Sequence, residues 1–158
     1  MRTIFMALAL LGSGVALYAF SLFTGPGGQP TEHGNRFVHH RDLGGLKPNP
    51  GETILVNVDV WVGDSLMSST SRDLGGPREF VLFEAHRLPA NVPVLYDAAL
   101  LMGEGDSASV YQPLDERLRR TLPEYLRGES QIRYDIVLVD VILPHERVHT
   151  QPYEKNTP

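Results

Sequence analysis

The chain has no cysteine, and several chemistries leave with it. Disulfide staples, thiolate metal centres, a cysteine nucleophile and a lipidated N-terminal cysteine are all excluded. Positive charge is scarce too: 14 Lys and Arg stand against 19 Asp and Glu, a formal charge of -5. Nothing here resembles the basic footprint that neutralises phosphates, so nucleic acid is not an expected partner. Internal repeats are missing as well. What remains, at 158 residues, is one domain with appendages. A chain of that length buries enough apolar surface to fold without staples.

The only long apolar run is residues 4–23, just after Arg2, and it contains no charge. It is about the length that crosses a bilayer as a helix. A cleaved signal has a shorter apolar region with a small-x-small site at its end. Gly14-Val15-Ala16 is the only candidate site, and it sits in mid-run. An uncleaved signal anchor is the leading reading; a cleaved signal and a buried core helix are the others. Arg2 favours a cytoplasmic N-terminus. The expected location is therefore the cell inner membrane, with the rest of the chain on the periplasmic or other extracytoplasmic side. The expected organisation is a signal anchor at 1–24, a flexible Gly/Pro linker at 25–35, a domain at 36–143 and a disordered tail at 144–158.

Within the domain, residues 36–40 read as a first strand. From 53 to 62 the alternation is plain, with Ile54, Val56, Val58, Val60 and Val62 on one face of a half-buried antiparallel strand. The Ser- and Gly-rich stretch 65–77 reads as a loop, and 79–83 as a short strand. Leu95, Ala98, Ala99 and Met102 recur at helical spacing, so 94–102 predicts a helix ended by Gly103 and Gly105. Positive φ is expected at Gly105. Residues 107–112 and 131–143 read as strands. Between them, Leu114, Leu118, Leu122 and Leu126 form an i, i+4 stripe on a helix over 114–127, which Pro123 kinks or splits. Asp115–Arg119 and Glu116–Arg120 are acid-before-base pairs on it, and its arginines read as a solvated face. Strands around one short central helix define an α+β domain.

Several stretches resemble the FKBP-type peptidyl-prolyl cis–trans isomerases. Met102, Gly105, Asp106, Ala108, Tyr111 and Pro113 fit the family's Met-x-x-Gly-[Asp/Gln]-x-Ala turn and the strand that leaves it. Tyr134, Asp135, Ile136 and Leu138 fit its closing [Phe/Tyr]-Asp-[Val/Ile]-x-Leu strand. Residues 51–58 are similar to its Gly-Asp-x-Val-x-Val-His-Tyr strand, 64–69 to its Phe-Asp-Ser-Ser turn and 77–82 to its Pro-Phe-x-Phe-x-Leu strand. The resemblance implies an antiparallel twisted sheet wrapped around the short helix. It also implies isomerisation of X-Pro bonds in proline-containing polypeptides during extracytoplasmic protein folding. No cofactor and no metal is called for.

Carried over by position, the family's active pocket falls on Val58, Leu66, Met67, Val92, Leu95 and Tyr134. Val58, Leu66 and Leu95 stand where the family has aromatics, Met67 where it has an Asp, and Arg78 replaces a further ring. Val92 matches the position whose backbone amide meets substrate, and Tyr134 keeps an aromatic. Stripped of most rings and its carboxylate, such a pocket implies weak activity. The alternative is a non-catalytic FKBP-like binding or chaperone module for an envelope protein, and a third reading is a purely structural tethered domain. Tyr134, Leu66, Met67 and Leu95 can also be read simply as core. His145 and His149 have metal-compatible helical spacing but no carboxylates at coordinating distance in sequence. His39 and His40, adjacent on a strand, point to opposite faces.

Overall fold

A computed structural model describes residues 27–143. The expected anchor and tail lie outside these residues, and among the described ones no helix is long and apolar enough to cross a membrane. The strands are β1 (Gln29–Pro30), β2 (Arg36–Arg41), β3 (Thr53–Val62), β4 (Ser65–Ser69), β5 (Arg78–Val81), β6 (Ser107–Pro113) and β7 (Gln131–Ile142). The α-helices are α1 (Thr70–Leu74), α2 (Val94–Leu101) and α3 (Glu116–Thr121). The sheet runs β1-β2-β6-β7-β3-β4, with β5 also pairing β3, and every pairing is antiparallel.

The alternation of β3 sets the layers. Its valines meet the apolar face of β7: Val56 opposite Leu138, Val58 opposite Ile136, Val62 opposite Ile132. Ile54, Val56, Ile136 and Leu138 are buried under α2, which lies across this inner face. Ala98 and Ala99 on α2 are buried and small, which lets the helix backbone approach the sheet. Each aliphatic side chain fully buried here contributes about 1.5–3 kcal/mol. The α+β expectation and the wrapped-sheet expectation are both met by this arrangement.

Three local expectations change. The stretch 65–77 is not a plain loop but β4 followed by α1. Ser69 caps α1 by accepting from Arg72 N, while Asp73 accepts from Ser69 N at 2.8 Å. Thr70 Oγ1 accepts from Val58 N and donates to Asn57, fastening the turn to β3. The hydroxyls that read as loop composition are capping groups.

The stretch 114–127 is α3 plus a 3₁₀ turn at Glu124–Leu126, parted at Pro123. Asp115 caps α3 by accepting from Leu118 N at 2.7 Å, rather than pairing with Arg119. Arg119 is half-buried and not simply a solvated charge. Its guanidinium donates to the carbonyls of Arg127 and Glu129 and so ties the ends of the insert together. Leu114 and Leu126 are buried with Val62 and Ile132 in a second apolar cluster, with Leu118, Leu122 and Tyr134 packed against it.

The expected linker is partly structural. Gln29–Pro30 pair with β2. Asp97 on α2, buried, accepts from Thr31 Oγ1 at 2.6 Å and Asn35 Nδ2 at 3.2 Å, and its other oxygen lies 2.5 Å from His33 Nδ1. A buried carboxylate needs such partners, and the Gly/Pro-rich segment supplies them.

Candidate functional site

A groove of about 420 Å³ opens at the N-terminal end of α2. Its floor is the inner sheet face, with Val58 and Val60 from β3, Ile136 and Tyr134 from β7 and Gln112 from β6. Its wall is Asn91, Val92, Pro93, Val94 and Leu95, the approach to α2 and its first turn. Pro93 is the N-cap residue at φ -61, so the chain enters the helix without a side-chain cap. The backbone N–H of Val92 has no partner among the described residues.

Val58, Val92, Leu95 and Tyr134 therefore come together in one groove. Leu66 and Met67 do not join them. They lie on β4, where Met67 is the extra residue of a bulge opposite Val60 and Trp61 of β3, and Met67 is 38% exposed. The missing residues of the groove are Asn91 and Gln112. Gln112 was legible in principle: Ala108 and Val110 on β6 are buried inward, and period two puts Gln112 on the same face.

Among the described residues Tyr134 is the only aromatic lining the groove. Its hydroxyl donates to Gln112 Oε1 at 3.0 Å, and burial pushes its pKa above the ordinary tyrosine value. Among the described residues no acidic or basic side chain lines the groove. Such a cavity offers apolar walls, one ring and a few neutral hydrogen-bonding groups. It suits a short apolar peptide segment and has no acid–base or nucleophilic pair.

At the other end of α2 the polar groups are closed on themselves. Gly105 adopts φ +83, as its place in the turn predicts. Asp106, fully buried, accepts from Gly103 N and Leu43 N, each at 2.7 Å, and contacts His39 Nε2 at 3.1 Å. Burial alone would raise its pKa, but the two amides and the histidine outweigh it and hold the carboxyl below its ordinary value. His39, Asp42 and Asp106 bring ligand atoms within 4.8 Å of one another and could hold a cation. The Asp106 oxygens are already engaged by backbone donors, so the cluster works as a structural tie.

The outer sheet face carries a second polar group. Ser109 Oγ donates to Asp135 at 2.5 Å and lies 2.7 Å from His40 Nε2. The serine proton is thus directed to a carboxylate and not to the imidazole, so this is not an activated nucleophile. His39 and His40 do face opposite sides, as expected from strand geometry.

No protein-family model matches the sequence, and no curated protein matches it. Solved structures do. FkpA from Escherichia coli is similar at 18% identity over 89% of this chain and 63% of its own, with a TM-score of 0.54. A peptidyl-prolyl cis–trans isomerase from Pseudomonas syringae pv. tomato is similar at 15% identity over 83% of this chain and 96% of its own, with a TM-score of 0.55. The N-terminal domain of FKBP42 from Arabidopsis thaliana is similar at 14% identity over 73% and 92%, also at 0.55. The chain has an FKBP-type fold. It spans less than two thirds of FkpA.

Proposed function

We propose that this is an FKBP-like protein that binds proline-containing polypeptides in the groove beside α2 and isomerises their X-Pro bonds slowly. The observation that carries the reading is the groove itself. It sits at the N-terminal end of the sheet-wrapped helix and combines apolar walls, the Tyr134 ring and the unpartnered Val92 N–H.

Rotation about a peptide bond crosses a barrier of about 18–20 kcal/mol because amide resonance is lost. Cis and trans X-Pro differ by only about 0.5–1 kcal/mol, so a catalyst needs to affect the rate alone. The twisted amide is less polar than the planar one. A dry cavity of fixed shape binds it in preference to the planar form. Val58, Leu95 and Ile136 supply the apolar contact, Tyr134 the rigid face, and Val92 N–H a donor for a substrate carbonyl. With one ring in the groove, water is excluded poorly, and slow turnover is the expected consequence.

The second reading is a binding module for an envelope protein without catalysis. What favours it is the replacement of expected rings by Val58 and Leu95 within the groove. The membrane address remains part of the proposal and rests on the uncharged run at 4–23. Alkaline washing of membranes should leave the full chain bound; release of a shortened soluble chain refutes the anchor.

A prolyl isomerase assay on the full chain separates catalysis from binding. We expect measurable but slow rates, and a rise of about tenfold for Val58→Tyr combined with Leu95→Trp, equal to about 1.4 kcal/mol of transition-state binding. A repaired protein that folds, binds proline peptide and stays silent gives the site to the binding module.

A further inference from the structure

We infer that Gln112 makes the groove selective for a proline flanked by a residue whose side chain carries a neutral hydrogen-bond acceptor, an amide above all. The inference rests on the groove being the proline-peptide site. Gln112 lines, from β6, a cavity whose walls are mostly apolar. Its Oε1 accepts from the Tyr134 hydroxyl at 3.0 Å, which fixes the amide plane. That bond leaves Nε2 as the free end, and its N–H groups have no partner among the described residues.

A donor held in place beside apolar walls discriminates strongly. A flanking leucine would cover Nε2, strip it of water and leave it unpaired, a cost without return. A flanking glutamine or asparagine would cover it and accept its hydrogen bond. Sites built to pair with a polar group reject analogues that lack the group. Charge decides between neutral and ionised acceptors. Among the described residues no basic side chain lines the groove, and the chain carries a formal charge of -5. A carboxylate would lose its hydration with no cation to replace it. Asn91, on the opposite wall, adds a second neutral amide without charge.

The test uses tetrapeptide probes and the full chain. Ala-Gln-Pro-Phe, Ala-Leu-Pro-Phe and Ala-Glu-Pro-Phe vary the residue before proline; Ala-Ala-Pro-Gln and Ala-Ala-Pro-Leu vary the one after. Binding is followed by direct titration and turnover by the isomerase assay. We expect the glutamine peptide of one series to be preferred over its leucine partner by about tenfold, and Gln over Glu in the first series. Gln112→Met, nearly equal in volume, should abolish the preference or turn it toward leucine. Tyr134→Phe, which frees the amide to rotate, should reduce it about threefold. Equal binding of glutamine and leucine peptides in both series overturns the selectivity while leaving the groove reading intact. A preference that survives Gln112→Met overturns it likewise. Failure of every probe to bind overturns both.

Discussion

The two ends of helix α2 are built on opposite principles. At its C-terminal end, Asp106 takes two backbone amides and a histidine, Gly105 turns the chain at positive φ, and at Gly103 a side chain would run into the Gly45 backbone. At its N-terminal end, Val92 and Gln112 line a cavity of about 420 Å³, and the Val92 N–H and the Gln112 amide nitrogen have no partner among the described residues. Polar groups near a core are normally satisfied. The saturated end therefore holds the fold, and on the proposed function the open end is where a peptide takes up the free donors. Substitutions at the first should unfold the protein; substitutions at the second should leave it folded.

The largest effect is expected at Asp106. Asp106→Ala leaves the buried Gly103 amide and the part-buried Leu43 amide without their acceptor, and a buried unpaired donor costs about 1–3 kcal/mol, so urea denaturation at neutral pH should show a loss of about 2–3 kcal/mol. The same group sets a pH dependence. Its folded pKa lies below the ordinary carboxylate value. Its contribution is therefore complete above the unfolded pKa of about 4 and is lost as pH falls through the lower folded value. The urea midpoint of the native chain should fall in this acid range, and Asp106→Asn should flatten that part of the curve.

Next comes the second apolar cluster. Leu126, 5% exposed, should cost about 2–3 kcal/mol when cut to Ala. Leu118 and Leu122 are only half-buried, so about 1–2 kcal/mol is expected for each, measured by the same melt. Gly105→Val follows, at about 1–2 kcal/mol. The strain at φ +83 is the main cause, since the Leu43 side chain that its Cβ would meet can move aside. The smallest effect on stability belongs to the groove. Gln112→Met should change the unfolding free energy by less than about 1 kcal/mol, because it removes one half-exposed hydrogen bond. A loss as large as that at Asp106 would show that Gln112 belongs to the frame.

The frame was the legible half of this contrast. The period-two pattern of Ile54 to Val62 announces β3, and the Gly-Glu-Gly-Asp turn announces both a positive φ and the end of a helix. Local sequence fixes those features. The ties between distant residues were hidden. Asp97 holds Thr31, 66 residues away, and nothing in a Gly/Pro-rich segment signals that it supplies donors to a buried carboxylate. Ser69 and Thr70 read as loop because their hydroxyls cap and brace rather than pack. The groove was legible only in part. Val58, Val92, Leu95 and Tyr134 were placed by resemblance, but Met67 was drawn away by a bulge that leaves no mark in composition. Gln112, next to Pro113, read as a strand end when its alternation with Val110 already pointed it inward.

The central claim is that ligand meets the chain at the N-terminal end of α2 and nowhere along the saturated turn. Amide chemical-shift mapping of the isotopically labelled full chain, titrated with Ala-Gln-Pro-Phe, reads this directly. The account predicts saturable shifts at Val92, Leu95, Gln112 and Tyr134, with Gly103, Gly105 and Asp106 unmoved. Shifts centred on the Asp106 turn or on the outer face around Asp135, or none in the groove at saturating peptide, would contradict it.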